Sequence, residues 1–270
     1  MINIKRIDTM NEFFEMINDQ PYREEIGRHR GLFVYRGMPD ASFHLETSLY
    51  LNCGDKSAEL ERYMLDNYKK YAVAEDSLVE TNVWRELIIG QHYGLPTRLL
   101  DWTHSPLVAA HFATAENDLA KMTSHDCIIW RLDMKEIDRL LPQRYQDIQN
   151  KRGMDVFSFE MLHAAGCEDL ESYDRDMKGN AMVVVEPPSI DKRIVNQYSF
   201  FSIIPQGMNN IENFLDENTK HSIKYVVSRN IRWEIRDLLD GANISERIFF
   251  PGLDGISKWM ARHYYVRVDI

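Results

Sequence analysis

The stretch Gln91–Ala113, QHYGLPTRLLDWTHSPLVAAHFA, decides how this chain is read. It crowds Gln, His, Tyr, Arg, Asp, Trp and Thr into a polar loop just before an apolar helix. Such crowding either braces a turn or builds a site. Pro96 pushes Leu95 out of helical geometry, so a sharp turn is expected there. Asp101 can accept hydrogen bonds from the Arg98 side chain or from loop amides. Trp102 offers a flat apolar face for a ring to stack on. Thr103 and Ser105 place hydroxyls beside the start of the next helix, an end that favours anions. Pro96, Leu99, Leu100 and Asp101 fit a self-braced loop. Gln91, His92, Arg98 and Thr103 are explained less well by bracing. His92 is a candidate general base, although a lone histidine ending an apolar helix also reads as a packed or capping residue.

Working outward, helical periodicity recurs before the stretch and strand-like runs follow it. TMNEFFEMIND predicts a short helix capped by Thr9. SAELERYMLDNYKKYAV and NVWRELIIGQHYG predict two more, the second stopping near Gly94-Leu95-Pro96. SPLVAAHFATAE predicts a helix with Ser105 as cap and Pro106 at its first position. DCIIWRLD, AMVVVEPP, RIVNQYSFFSIIP and IKYVVS read as strands, with a helical stretch from about Met134 to Glu171 among them. RWEIRDLLDGAN reads as a helix ended by Gly241, and ERIFFPGLDGISKWMARHY as a turn followed by a helix. Helices lead and strands follow, which fits an α+β domain better than a doubly wound one.

Three further motifs carry chemistry. GLFVYRGM predicts a strand that delivers Arg36 just before Gly37. A guanidinium there suits phosphate or carboxylate, and Gly37 lets a ligand or another backbone come close. The alternative is a strand-end arginine paired with an acid. In RIVNQYSFF, Gln197 and Ser199 lie two apart, so on a strand they share a face and could bond a ribose hydroxyl. In ERIFFPGLDG, Phe249 and Phe250 read as core, Pro251-Gly252 and Asp254-Gly255 as turn, and Glu246 as a spare carboxylate.

Composition bounds the rest. The 270 residues are 44% hydrophobic and 27% charged, ordinary for a globular chain able to bury a core. A net charge of −10 argues against a generic DNA binder, though not against a local basic cleft. Cys53, Cys127 and Cys167 are widely spaced, with no metal-ligand pattern, as in a reduced cytoplasmic protein. No secretory leader and no run long enough to span a membrane are read, so a cytoplasmic location is expected. No G-x-G-x-x-G or P-loop occurs.

Taken together, FVYRG, QHYGLPTRLLDWTHSPLVAAHFA, RIVNQYSFF and RIFFPGLDG resemble the FRG domain, named for its Phe/Tyr-Arg-Gly motif, from about Leu32 to Met260. FRG domains are distantly similar to ADP-ribosyltransferases, which split NAD and transfer ADP-ribose. The resemblance implies one compact α+β domain over residues 1–270, its core at about 32–260 and a helical insertion at about 134–171. A split central β-sheet flanked by helices, with an NAD cleft, is the implied architecture. Arg36 would match the transferases' first-strand arginine and clamp the NAD phosphates, with Tyr35 and Gly37 beside it. Thr103 and Ser105 would match the Ser/Thr segment, with Trp102 near the nicotinamide and Gln91, His92, Arg98 and Asp101 lining the same wall. Gln197 and Ser199 would occupy the third site, where the transferases usually carry Glu-x-Glu or Gln-x-Glu. Arg36, Thr103 and Gln197 are thus the implied catalytic residues, and no metal site is expected. Gln197 can accept a ribose hydroxyl bond but supplies no negative charge, so activity would either depend on another carboxylate such as Asp101 or Glu246, or be weak or lost. The implied function is an enzyme using NAD to modify a nucleic acid or protein, in the setting of a bacterial or phage-defence toxin with an antitoxin or chaperone as partner. The alternative is a non-catalytic module that holds NAD, a nucleotide or RNA in the same cleft.

Overall fold

The computed structural model describes residues 2–76, 79, 82–190 and 192–267. Ten strands lie among them: β1 Asn3–Ile7, β2 Tyr22–Arg23, β3 Arg28–His29, β4 Phe33–Met38, β5 Leu99–Thr103, β6 Cys127–Asp133, β7 Phe157–Ser158, β8 Val183–Glu186, β9 Ser199–Ile203 and β10 Ile223–Val227. Eight form one mixed sheet in the order β1-β10-β6-β4-β5-β9-β8-β7, while β2 and β3 make a separate hairpin. The large sheet is nearly two sheets. Strands β4 and β6 pair over six residues and β5 and β9 over five, but β4 meets β5 only at Tyr35 opposite Thr103. Below that pair the strands part, and the Arg36 guanidinium bridges the gap by donating to the Asp101 carbonyl at 2.7 Å.

Helices cover both faces because the strands alternate two apolar sets. Leu99, Phe201, Ile203, Val183 and Val185 face the helices Val83–His92, Phe159–Ala164 and Leu170–Met177. Val34, Leu100, Trp102, Ile128, Trp130 and Phe200 point the other way into a second core. Tyr35, Ile129 and Tyr225 pack against Pro106–Ala113 and Arg232–Gly241. Gly37 fixes the seat of Pro106–Ala113: a Cβ there would lie 1.8 Å from the Ala109 carbonyl oxygen. The close approach at Gly37 is therefore by backbone.

Local signals translate well where they are strong. Thr9 makes a capping box with Glu12, Asn82 caps Val83–His92, and Ser105 caps Pro106–Ala113. The differences fall where polar residues hide a regular element. Leu99–Thr103, read as loop, is a central strand. Arg193 to Ser199, read as strand, is the helix Lys192–Asn196 followed by a turn, with the strand starting only at Ser199. The expected shared strand face of Gln197 and Ser199 does not exist. The stretch expected as helical from about Met134 to Glu171 holds three helices, the start of the helix Leu170–Met177, and the short strand β7. Strand β1 and the hairpin of β2 and β3 carried no sequence signal. No helix among the described residues is long and apolar enough to cross a membrane.

Candidate functional site

The three motifs meet at the upper end of β5. Thr103 lies opposite both Tyr35 on β4 and Ser199 on β9. Its hydroxyl donates to the Gln197 carbonyl at 2.6 Å and accepts from the Ser105 N–H at 3.2 Å. One residue on, the His104 N–H donates to the Tyr198 carbonyl at 3.1 Å. Two turns, one leaving β5 and one entering β9, are thereby clipped together.

The residues chosen from sequence are largely the material of that clip and of the core. Thr103 is buried, and the Gln197 side-chain amide donates to the Phe249 carbonyl at 3.4 Å. Ser105 spends its hydroxyl on the Val108 N–H. Trp102 is 3% exposed, and its indole N–H donates to Ser202 at 2.9 Å, so no face is left for a ring to stack on. Arg98 is a buried ion-pair hub: its Nε donates to Glu61 at 2.8 Å and its Nη1 to Asp174 at 2.6 Å. Burial works against its charge, and the two carboxylates outweigh that cost. Tyr35 is buried and its hydroxyl accepts from Gln20 at 2.9 Å. Gly37 lies beneath a helix, as described above. These seven side chains or positions were expected to touch a ligand and instead hold the fold.

Arg36, next along β4 from Tyr35, reaches through the gap between β4 and β5 and joins a second polar set. Its Nη1 lies 3.7 Å from the Asp101 carboxylate, which accepts from Gln91 at 2.9 Å, and Gln91 in turn accepts from the Thr97 hydroxyl at 2.6 Å. His92 gives its carbonyl to Arg193 at 3.3 Å. Asp101 and Thr103 are two residues apart, so the two sets are separated by about 7 Å along one strand.

The exposed chemistry belongs to the residues between those chosen. His104 and Tyr198 line two cavities, of about 510 and 380 Å³. Tyr198 is 63% exposed, and it is one of three described non-glycine residues with positive φ, at 49°. A bulky side chain in that region is uncommon and is held there by its surroundings, here by the clip. In the larger cavity, Tyr198, His104 and Ser199 face Arg30 from the loop after β3 and Glu186 from the end of β8. Burial holds the His104 imidazole below its ordinary pKa against a hydrogen bond to the Phe33 backbone; Arg30 lowers it further, and the Glu186 charge opposes it. The Nδ1 of His104 is buried without a hydrogen-bond partner. Arg23, on the same rim, is paired with Glu25 and Asp155.

The carboxylates nominated from sequence are otherwise engaged. Asp101 holds Gln91 and faces Arg36. Glu246 accepts from Arg262 at 2.8 Å and from Arg236 at 3.2 Å. Burial alone would raise its pKa, but the Arg262 hydrogen bonds and the Arg236 charge bring it down to about 2. The buried His111, inside the opening stretch, accepts at Nδ1 from Arg236 at 3.0 Å; burial and that arginine push it down to about 3. Asp133, Glu136 and His221 bring one ligand atom each within 4.8 Å, but Glu136 is already accepting from the N–H groups of Lys220 and His221.

The FRG domain family's model matches residues 31–121, from just before β4 to just beyond Pro106–Ala113. The turns at Gln197 and Phe250 lie past that match. No curated protein and no solved structure matches the chain.

Proposed function

With an FRG domain as the premise, we propose that the larger cavity holds NAD and that the protein is an ADP-ribosyltransferase-like enzyme with the split sheet of that fold. The observation that carries the reading is Tyr198, an exposed ring at positive φ on the rim of a cavity that also offers Arg30 and Glu186. A volume of about 510 Å³ suits a small-molecule site. Arg30 has no acidic partner among the described residues and would meet a phosphate. Tyr198 offers the stacking face first sought at Trp102.

When bound, NAD supplies a ribose carbon whose bond to the positively charged nicotinamide nitrogen breaks with the electron pair leaving on nicotinamide. Glu186 is the carboxylate that Gln197 lacks. Beside the sugar it would stabilise developing positive charge and accept the proton that the acceptor's nucleophile loses on forming its new bond. Ser199 would bond a ribose hydroxyl. Thr103 and Gln197 act at one remove, by fixing the turn that presents Tyr198.

Nicotinamide release from NAD, measured with cell extract as acceptor source, tests the reading. Release should fall at least about a hundredfold in Glu186→Gln, the order seen when one electrostatic group is lost, with the melting temperature unchanged. Absence of release from the wild-type protein sinks the enzyme reading. The closed hydrogen bonds of Thr103 and Gln197 favour a second reading, a module that binds without catalysis. It expects NAD binding lost in Tyr198→Ala and no release at any protein concentration.

A further inference from the structure

The smaller cavity lies on the other side of Tyr198 and differs in chemistry. Val108, Ile244 and Ile248 make its walls apolar, and Asn196 and Asn243 add amide groups to the His104, Ser105 and Tyr198 that also line it. The Asn196 Nδ2 donates to the Ile248 carbonyl at 2.7 Å, which leaves its Oδ1 as an unused acceptor. The Asn243 Oδ1 accepts from Arg247 at 2.6 Å, which leaves its Nδ2 as an unused donor. A largely apolar slot of about 380 Å³ with an unused amide donor and an unused amide acceptor on its walls suits a flat heterocycle better than a phosphate.

The cations stand outside the slot, and each lies over an aromatic ring. Arg247 sits 4.5 Å from the ring centre of Trp259. Arg193 and Lys258 sit 4.9 and 5.7 Å from that of Phe250. Neither Arg247 nor Lys258 has an ion pair among the described residues. Glu246 is engaged by Arg236 and Arg262, so Asp254, one turn before Lys258, is the acid left near this set. Three cations over two rings, beside an apolar slot, match a chain whose backbone is anionic and whose side groups are flat.

We propose that this surface binds single-stranded nucleic acid, one base entering the slot beside Tyr198 while Arg247 and Lys258 hold the neighbouring phosphates and Phe250 and Trp259 flank the neighbouring bases. A duplex keeps its bases stacked and paired, so only an unpaired strand can supply the inserted base. The net charge of −10 repels a polyanion at long range, which confines the attraction to this patch and makes it steeply salt-dependent. The inference names the acceptor of the proposed transfer and rests on that reading only for the role of the adjoining cavity.

The test is fluorescence anisotropy of a labelled single strand of about 12 nucleotides, titrated with the full chain at about 50 mM salt and without NAD. The single strand should bind at least about tenfold more tightly than a duplex of the same sequence. Arg247→Ala with Lys258→Ala should weaken binding about tenfold or more and flatten the salt dependence. Lys151→Ala, an exposed lysine on Gln143–Arg152, serves as the surface-charge control and should change nothing. Circular dichroism of each variant reports the fold. No binding of the single strand, equal binding of the duplex, equal loss in Lys151→Ala, or displacement by an acidic peptide at the same concentration overturns the inference. Oligonucleotide binding without nicotinamide release would sink the NAD reading alone; release without oligonucleotide binding would sink this inference alone.

Discussion

The His104 N–H donates to the Tyr198 carbonyl at 3.1 Å, and this bond joins the turn after β5 to the turn before β9. It holds Tyr198 at φ 49° with its ring in solvent between two cavities. Because the ring contributes little to the core, Tyr198→Ala should leave the melting temperature nearly unchanged. NAD affinity, read by calorimetry, should fall about tenfold, the usual cost of losing one stacking ring. Tyr198→Phe should keep it. A large stability loss in Tyr198→Ala would show that the ring is structural.

Gly37→Ala should be among the most damaging single substitutions. Its Cβ would lie 1.8 Å from the Ala109 oxygen and 2.5 Å from the Ala113 nitrogen, both backbone atoms that cannot rotate away. Displacing Pro106–Ala113 should cost about 3 kcal/mol or more, visible as a fall in the urea midpoint. A wild-type midpoint would mean that the helix can shift freely.

Arg98→Ala should act on stability, not on binding. It leaves Glu61, 2% exposed, without its cation and unlinks Asp174. Removing one partner of a buried ion pair costs about 3–5 kcal/mol. NAD affinity measured well below the new melting temperature should match wild type.

Acid should weaken the fold in two stages. His111 has a native pKa of about 3 against 6.5 when unfolded, so stability is lost as pH falls below 6.5 towards 3. Glu246 has a native pKa of about 2 against 4.5, so its share is present above 4.5 and lost as pH falls through 2. Each group contributes at most about 1.4 kcal/mol per pH unit within its window. His111→Asn keeps an acceptor for Arg236 and cannot titrate. Urea midpoints between pH 7 and 5 should fall less steeply in this variant; the slope that remains combines His104, whose pKa is also depressed, with the opposing share of Asp138, which burial raises to about 6. An unchanged slope would refute the assignment to His111.

Elements with a strong local cause were legible in the sequence. The capped helices at Thr9, Asn82 and Ser105 follow from side chains that bond their own first turn. Strands β4, β6, β8 and β10 follow from short runs rich in β-branched and aromatic residues. The site was legible as a region but not as a set of side chains. Sequence spacing picked Thr103 and Ser105 around His104, and Gln197 and Ser199 around Tyr198. Small hydroxyl and amide groups bond nearby backbone readily, so the fold used Thr103, Ser105 and Gln197 as clips. The larger rings between them, which cannot do this, were left facing the cavities.

By itself, therefore, the sequence determined the helix starts, the apolar strand cores and the neighbourhood of the site, because these depend on contacts within a few residues. Tertiary structure alone decided that Leu99–Thr103 is a central strand, since its pairing with β9 is about a hundred residues distant along the chain. It also decided that Glu186, not Asp101 or Glu246, is the carboxylate left to the cavity. That outcome depends on where Arg36, Arg236 and Arg262 come to rest, because a carboxylate already facing a guanidinium has less charge to spare for a ligand.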